Sequence, residues 1–440
     1  MARGLAEVRG PAVTQITLDV RLSGGQNVAM SERPRKPVNV RRADVLEKIR
    51  GEVSQYQSPL VEAIHGLPGA VLRLPKLHLH LAAQFGFCDG VRRAIEIAHA
   101  ACRMFAGKRV WLIGEIIHNP EVNARLDAMG LLHLPWDMSA AAYEALTPDD
   151  VVIIPAFGLP VAMWRMLQEK GVQLVDTTCG NVVMVWNRVR RYARLGITSI
   201  IHGKAQHEES LATASHSLGD DGKGHYLIIY SEEDARFVAD FIRGRISAEA
   251  FLSRFSHCCS RGFEPGRDLC EIGMANQTTM LKDETAHIQQ MLREAVAERD
   301  GSEARFHAFD TICGATQDRQ NALYALLEAP LDAMFIVGGY NSSNTTHLAQ
   351  IASRRVPTFF VRDADCLIGG GLCRAWDADA REERVVPLPE AVSHPETPCR
   401  IGLTAGASCP ANVIEAVIRR LAEVCGCTED LEAFCRSVSA

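Results

Sequence analysis

The chain has 440 residues, 47% of them hydrophobic, with a formal net charge of -6 and 14 cysteines. That length and apolar content allow a large core divided over two or three domains, and the slight acidity provides no basic field to attract nucleic acid or an anionic membrane surface. No apolar run approaches the ~20 residues of a membrane helix, and cysteines scattered along so long a chain, with no signal-peptide pattern, fit thiols in a reducing cytosol, some of them on a metal, better than a disulfide framework.

Residues 1–50 read as a disordered N-terminal extension. Arg3, Arg9, Arg21, Arg33 and Arg35 lie there among small and polar residues, as in an organelle transit peptide. Glu7, Asp19 and Glu32 interrupt the pattern and serine is sparse, which fits a disordered tail, or a start at Met30 instead of Met1. The expected location is the cytoplasm of a bacterium, with a plastid as the alternative if this segment is a transit peptide.

Residues 51–83 form a segment of their own before the regular pattern begins. Beyond it, the β-branched runs Val110–Ile113, Val151–Ile154, Ser199–Ile201, Tyr226–Ile229, Met334–Val337 and Thr358–Val361 alternate with helical spacing. This predicts βαβ units with parallel sheets. The fold class is therefore α/β, as small α/β domains over 84–178, 179–311 and 312–400, closed by a C-terminal segment, 401–440. Residues 240–270 read as an insertion or an irregular surface excursion. Its adjacent Cys258 and Cys259, like Cys425 and Cys427 near the C-terminus, fit a structural role better than a metal site.

Cys88, Cys179 and Cys313 each stand where a strand or loop turns into a helix. Apolar residues at helical spacing follow each one: Val91, Ala94, Ile95 and Ala98; Val182, Val185, Trp186 and Val189; Leu323, Leu326 and Leu327. A helix start favours negative charge and so suits a sulfur held as thiolate. The usual zinc sites need cysteines paired closely in sequence, and these are far apart. A 4Fe-4S cluster normally takes four cysteines, so three would leave one iron without a protein ligand. Because active sites in open α/β sheets lie at the carboxyl ends of strands, the expected architecture is three small domains facing a central iron-sulfur cluster.

Gly338-Gly339-Tyr340-Asn341-Ser342-Ser343-Asn344 follows an apolar run. Glycines let backbone approach an anion, and the helix start with its Ser and Asn side chains offers donors for a phosphate or diphosphate. The turn Thr404-Ala405-Gly406-Ala407-Ser408 could close on the same anion. His118 and His207 lie in polar contexts after strands, and Lys204, His207, Glu208 and Glu209 put anion-binding groups beside a possible proton donor. Gln277-Thr278-Thr279 adds hydroxyls that could position a substrate alcohol.

From about Tyr56 to about Arg420 the chain resembles the 4-hydroxy-3-methylbut-2-enyl diphosphate reductase family. The motifs GFCDGV, IIHNPEVN, DTTCGNVV, HGKAQHEES, NQTTM, TICGATQDRQ, GGYNSSN and TAGAS occur in the family's order. The resemblance implies an enzyme that reduces an allylic diphosphate to isopentenyl and dimethylallyl diphosphate, with a 4Fe-4S cluster on Cys88, Cys179 and Cys313. Glu209 would supply protons, Thr278 would orient the substrate hydroxyl, and His118, His207, Ser342, Ser343, Asn344 and Ser408 would hold the diphosphate. Electrons would come from a ferredoxin- or flavodoxin-type carrier.

Many bacterial members are expected to carry Ser-Ala-His-Gly where this chain has Pro155-Ala156-Phe157-Gly158. Phe157 cannot donate to a phosphate. Together with the N-terminal Tyr56-Gln57-Ser58-Pro59-Leu60, the change resembles the plant and cyanobacterial branch, and Lys204 would then supply compensating charge. A cluster-dependent dehydratase is the rival enzyme reading, and an iron-sulfur sensor the non-catalytic one. Neither accounts for the whole motif string, and a sensor needs neither Glu209 nor Thr278.

Overall fold

The computed structural model describes residues 36–439 apart from Ser139, Asp310, Thr311, Asp379, His394 and Glu396. The transit-peptide reading, and Thr311 just before Cys313, therefore lie outside the described residues. Three mainly parallel sheets each carry helices, giving the three-part α/β architecture that the strand–helix alternation predicts. Among the described residues no helix is long and apolar enough to cross a membrane.

The first sheet contains β3 (Val110–Ile113), β4 (Leu132–Leu134), β5 (Val151–Ile154) and β6 (Gln173–Asp176), all parallel, in the spatial order β4-β3-β5-β6. Every residue of β5 is buried, as a parallel strand covered on both faces demands. The second holds β7 (Thr198–His202), β8 (Tyr226–Ile229), β9 (Ile272–Asn276) and β10 (Phe306–His307) in the order β10-β9-β7-β8, again parallel. The third has the order β1-β2-β16-β11-β12, from β1 (Val71–Arg73), β2 (Leu77–Leu81), β11 (Ala333–Val337), β12 (Thr358–Val361) and β16 (Cys399–Ala405), with β1 alone antiparallel. Residues 51–83 and 401–440, set apart by the sequence, thus build the third sheet together. A hairpin sheet of β13 (Leu367–Gly369), β14 (Leu372–Asp377) and β15 (Glu382–Pro387) lies beyond β12.

Two sequence expectations are corrected. Residues 43–50 are not a disordered tail: α1 (Ala43–Ser54) buries Val45 and Ile49 in the core that holds Ile95, Leu112 and Ile153. The stretch 240–270 is not an irregular excursion, because the helix Ala248–Phe255 packs Phe251 and Phe255 into the second core. Cys258 and Ser260 then hydrogen-bond along the free edge of β8, Ile228 N–H to Cys258 O at 2.8 Å and Ser260 N–H to Tyr226 O at 3.1 Å.

The chain passes from one sheet's core to the next at a cysteine. Cys88 follows β2 of the third sheet and caps α2 (Asp89–Met104), whose Ala94, Ile95 and Ala98 pack with Leu112 and Val151 of the first. Cys179 follows β6 and caps α3 (Gly180–Leu195), whose Val185 and Val189 lie against Ala275 of the second. Cys313 follows β10 and caps α5 (Gly314–Leu326), whose Leu323 packs with Met334 and Ile336 of the third. Two further helices matter below: α4 (Glu208–Ser217) after β7 and α6 (Ser343–Ser353) after β11.

Candidate active site

Where neighbouring parallel strands lead their connections in opposite directions, a crevice opens at their carboxyl ends. Each sheet has one such point, and each supplies polar groups to a common region. Between β3 and β5 it is flanked by His118 and Phe157, whose rings stack at 4.3 Å. Between β7 and β9 it holds Glu209 and Thr278. Between β11 and β16 it holds Ser342, Ser343 and Asn344 facing Ser408 and Ala407.

Hydrogen bonds join these crevices. His118 Nε2 lies 3.3 Å from His207 Nε2. Ser408 donates to His118 O at 3.3 Å and approaches Ser342 Oγ at 3.5 Å, and Gln277 Nε2 donates to Ser343 Oγ at 3.3 Å. The glycines of the loop are sterically required. A Cβ on Gly339 would stand 2.4 Å from His118 O, and one on Gly406 would collide with Thr345.

His207 Nδ1 accepts the Glu209 N–H at 3.1 Å, which leaves its Nε2 facing His118 Nε2. His118 Nδ1 faces Glu115 Oε2 at 2.8 Å. Burial, then the neighbouring His118 and Lys204, hold His207 well below the usual imidazole range. The Phe157 ring stacks on His118 and so packs it in place. Lys204 is half-buried, its ammonium weakened first by burial and then by Arg381.

Glu209 is 2% exposed on the first turn of α4. One carboxylate oxygen accepts the Thr278 N–H at 2.6 Å, and the other accepts the Thr278 hydroxyl at 3.1 Å. Those bonds and His118 lower its pKa, but burial outweighs them and pushes it up to about 7. A carboxyl with such a pKa can hold and release a proton near neutrality.

The three thiols converge beside this pocket. A Cβ on Gly90 would lie 2.8 Å from Cys179 Sγ and 3.8 Å from Cys88 Sγ, and Asn181 Nδ2 donates to Cys313 Sγ at 2.9 Å. Their backbone N–H groups hang on residues of the crevices: Cys88 on Ala407 O at 3.2 Å, Cys179 on Ala156 O at 3.0 Å and Cys313 on Thr278 O at 3.2 Å. The Cys179 thiol is pushed up by burial, while the helix-start N–H of Asn181 pulls it down and the sulfurs of Cys88 and Cys313 push it up again. Three sulfurs packed so closely stay anionic together only against positive charge, which a metal centre supplies. The donor set thus fits the expected cluster. The pocket likewise fits an anion, because among the described residues the buried Asn344 Nδ2 has no hydrogen-bond partner and its Oδ1 is taken by Ala407 N–H at 2.9 Å.

Cys88, Cys179, Cys313, His118, His207, Glu209, Thr278, Ser342, Ser343, Asn344 and Ser408 thus fall in one region. Sequence reasoning missed Asn181, which touches the Cys313 sulfur, and Arg319, which is buried on the helix after Cys313 and donates to Gly86 O. Asn181 could have been found from its place just after Cys179-Gly180. Arg319 shares helical spacing with the buried Thr316, Gln320 and Leu323, so it is a charge on a core face. Cys258 and Cys259, by contrast, have thiols pushed by burial up to about 11, which suits inert thiols.

Fold and site together define a three-part α/β enzyme with a three-thiol centre next to a polar pocket that carries a buried acid. The family model for the LytB protein matches residues 79–422. A 4-hydroxy-3-methylbut-2-enyl diphosphate reductase from Synechococcus sp. (strain RCC307) is 44% identical over 384 residues, covering 86% of this chain and 91% of that protein. One of the same name from Gloeobacter violaceus (strain ATCC 29082 / PCC 7421) is 41% identical over 400 residues, covering 88% and 92%. The structure of the E-1-hydroxy-2-methyl-but-2-enyl-4-diphosphate reductase from Plasmodium falciparum shares the fold, with a TM-score of 0.58 and 21% identity over 79% of this chain and 88% of that one. The chain belongs to the LytB family.

Proposed function

We propose that this chain reduces (E)-4-hydroxy-3-methylbut-2-enyl diphosphate to isopentenyl and dimethylallyl diphosphate, the last step of the methylerythritol phosphate route to isoprenoids. Two electrons and two protons enter, the allylic C–O bond breaks and water leaves. The reading draws on the names of the cyanobacterial relatives, and the observation that carries it is Glu209, a buried acid with a pKa of about 7 held between the anion pocket and the cysteines.

The diphosphate end would be held by His118, His207, Ser342, Ser343, Asn344 and Ser408, with Lys204 adding charge where Phe157 has removed a donor. Anchoring the unreactive end fixes the alcohol end near the thiols and lowers the entropic part of the barrier. Thr278, which donates to Glu209 at 3.1 Å in the free protein, can turn its hydroxyl to the substrate alcohol. Glu209 gives its proton to the departing oxygen, and a second proton ends the reaction at either terminus of the allyl system, which yields two products. A 4Fe-4S cluster on Cys88, Cys179 and Cys313 would supply electrons singly and a Lewis-acidic iron that no side chain ligates. A ferredoxin- or flavodoxin-type carrier would renew them.

The test is anaerobic incubation of the cluster-loaded chain with this substrate and a reduced viologen. The reading expects dye oxidation and both five-carbon diphosphates. An intact cluster with no turnover would overturn it.

A further inference from the structure

Arg319 is the arginine among the buried charged residues, at 4% exposure. It projects from α5, which Cys313 caps, and its Nε donates to Gly86 O at 3.2 Å, as does Nη2. Gly86 stands two residues before Cys88, so one guanidinium spans the segments that carry two of the three thiols. Its remaining bond, Nη1 to Ala315 O at 2.7 Å, stays on its own helix. No carboxylate pairs with it among the described residues. The charges that act on it are the Cys88 and Cys313 sulfurs, followed by Asp318 and Asp89, and both of these aspartates reach into solvent.

A buried cation without an anionic partner is strongly unfavourable. Carbonyl dipoles offset part of that cost, and among the described residues the negative charges that act on it most are the Cys88 and Cys313 sulfurs, ahead of the solvent-exposed Asp318 and Asp89. We propose that Arg319 is the fixed counter-charge of the cysteine centre, a positioning residue that favours the added electron and so raises the centre's reduction potential. This goes beyond the reaction itself, and it rests on the reading of Cys88, Cys179 and Cys313 as cluster ligands. Arginine suits the task because it stays charged when buried and its fork reaches the Gly86 carbonyl of the segment that carries Cys88.

The experiment is a redox titration, followed by electron paramagnetic resonance, of the full chain loaded anaerobically, in wild type, Arg319→Gln and Arg319→Lys. Loss of the charge in Arg319→Gln is expected to lower the reduced-to-oxidised ratio at a given potential at least tenfold, a downward shift of about 59 mV for one electron. The shift should persist in high salt, because a buried charge is poorly screened. Arg319→Lys keeps the charge and loses the fork, and its potential should stay close to wild type. An unchanged potential in Arg319→Gln, or equal falls in both variants, would overturn the inference. Should Arg319→Gln take up no cluster, Arg319→Lys decides: a potential near wild type supports the counter-charge, and a tenfold fall overturns it. Iron and sulfide analysis separates the two levels, since a wild-type chain that binds no cluster overturns the ligand reading along with this one.

Discussion

Glu209 and Thr278 come from different connections of the second sheet and meet through two hydrogen bonds, at 2.6 Å to the main-chain N–H and 3.1 Å to the hydroxyl. The pair places an acid with a pKa of about 7 one backbone hydrogen bond from Cys313, through Thr278 O. Only the protonated acid can donate, so the anaerobic rate should fall as pH rises through about 7. Glu209→Gln should lose about 10²- to 10⁴-fold in rate together with that alkaline limb. Initial rates of dye oxidation across the pH range check both.

The same shift affects stability. Glu209 has a folded pKa raised from 4.5 to about 7, so its favourable contribution is complete below pH 4.5 and is lost as pH rises through 7. The loss amounts to about 3 kcal/mol at most, at 1.36 kcal/mol per pKa unit. Glu209→Gln should therefore match wild type in urea denaturation near pH 4.5 and be the more stable of the two at pH 8. Equal differences at both values would contradict the burial argument.

Gly90 leaves open the space beside two sulfurs. In Gly90→Ala the new Cβ would come 2.8 Å from Cys179 Sγ, although the position is an ordinary helical one that alanine favours. The expected outcome is a folded chain with sharply reduced iron uptake. Normal iron content and an unchanged cluster spectrum would show that the thiols do not need that space.

Asn344 offers a buried N–H pair with no partner among the described residues. A hydrogen bond to a charged group contributes about 1.5–3 kcal/mol, so Asn344→Ala should weaken binding of inorganic diphosphate roughly ten- to hundredfold in calorimetry. Lys204→Ala should also weaken it, and a normal affinity there would remove Lys204 from the proposed anion-binding charges.

The strand runs were legible because fully buried parallel strands are short and β-branched: Val151–Ile154 and Tyr226–Ile229 match β5 and β8 residue for residue. β9 was missed because Ile272–Asn276 includes Gly273, where a side chain would strike the Tyr192 ring, and ends in polar Asn276. The hairpin sheet was hidden by the exposed, charged β15 and by Gly369-Gly370-Gly371 at its turn. Those strands pack on the 338–344 loop from outside, with Trp376 stacked on Tyr340 at 4.6 Å. Most of the site could be read because its residues sit in short polar runs just after strands. Arg319 could not, because what sets it apart is the missing carboxylate partner, a property of the folded chain alone.

The most direct test of a three-cysteine centre with one iron free of protein is Mössbauer spectroscopy on the chain loaded anaerobically with ⁵⁷Fe. The account predicts a four-iron cluster in which one iron differs from the other three and changes when substrate is added. Four irons with equivalent all-sulfur surroundings, indifferent to substrate, would contradict it.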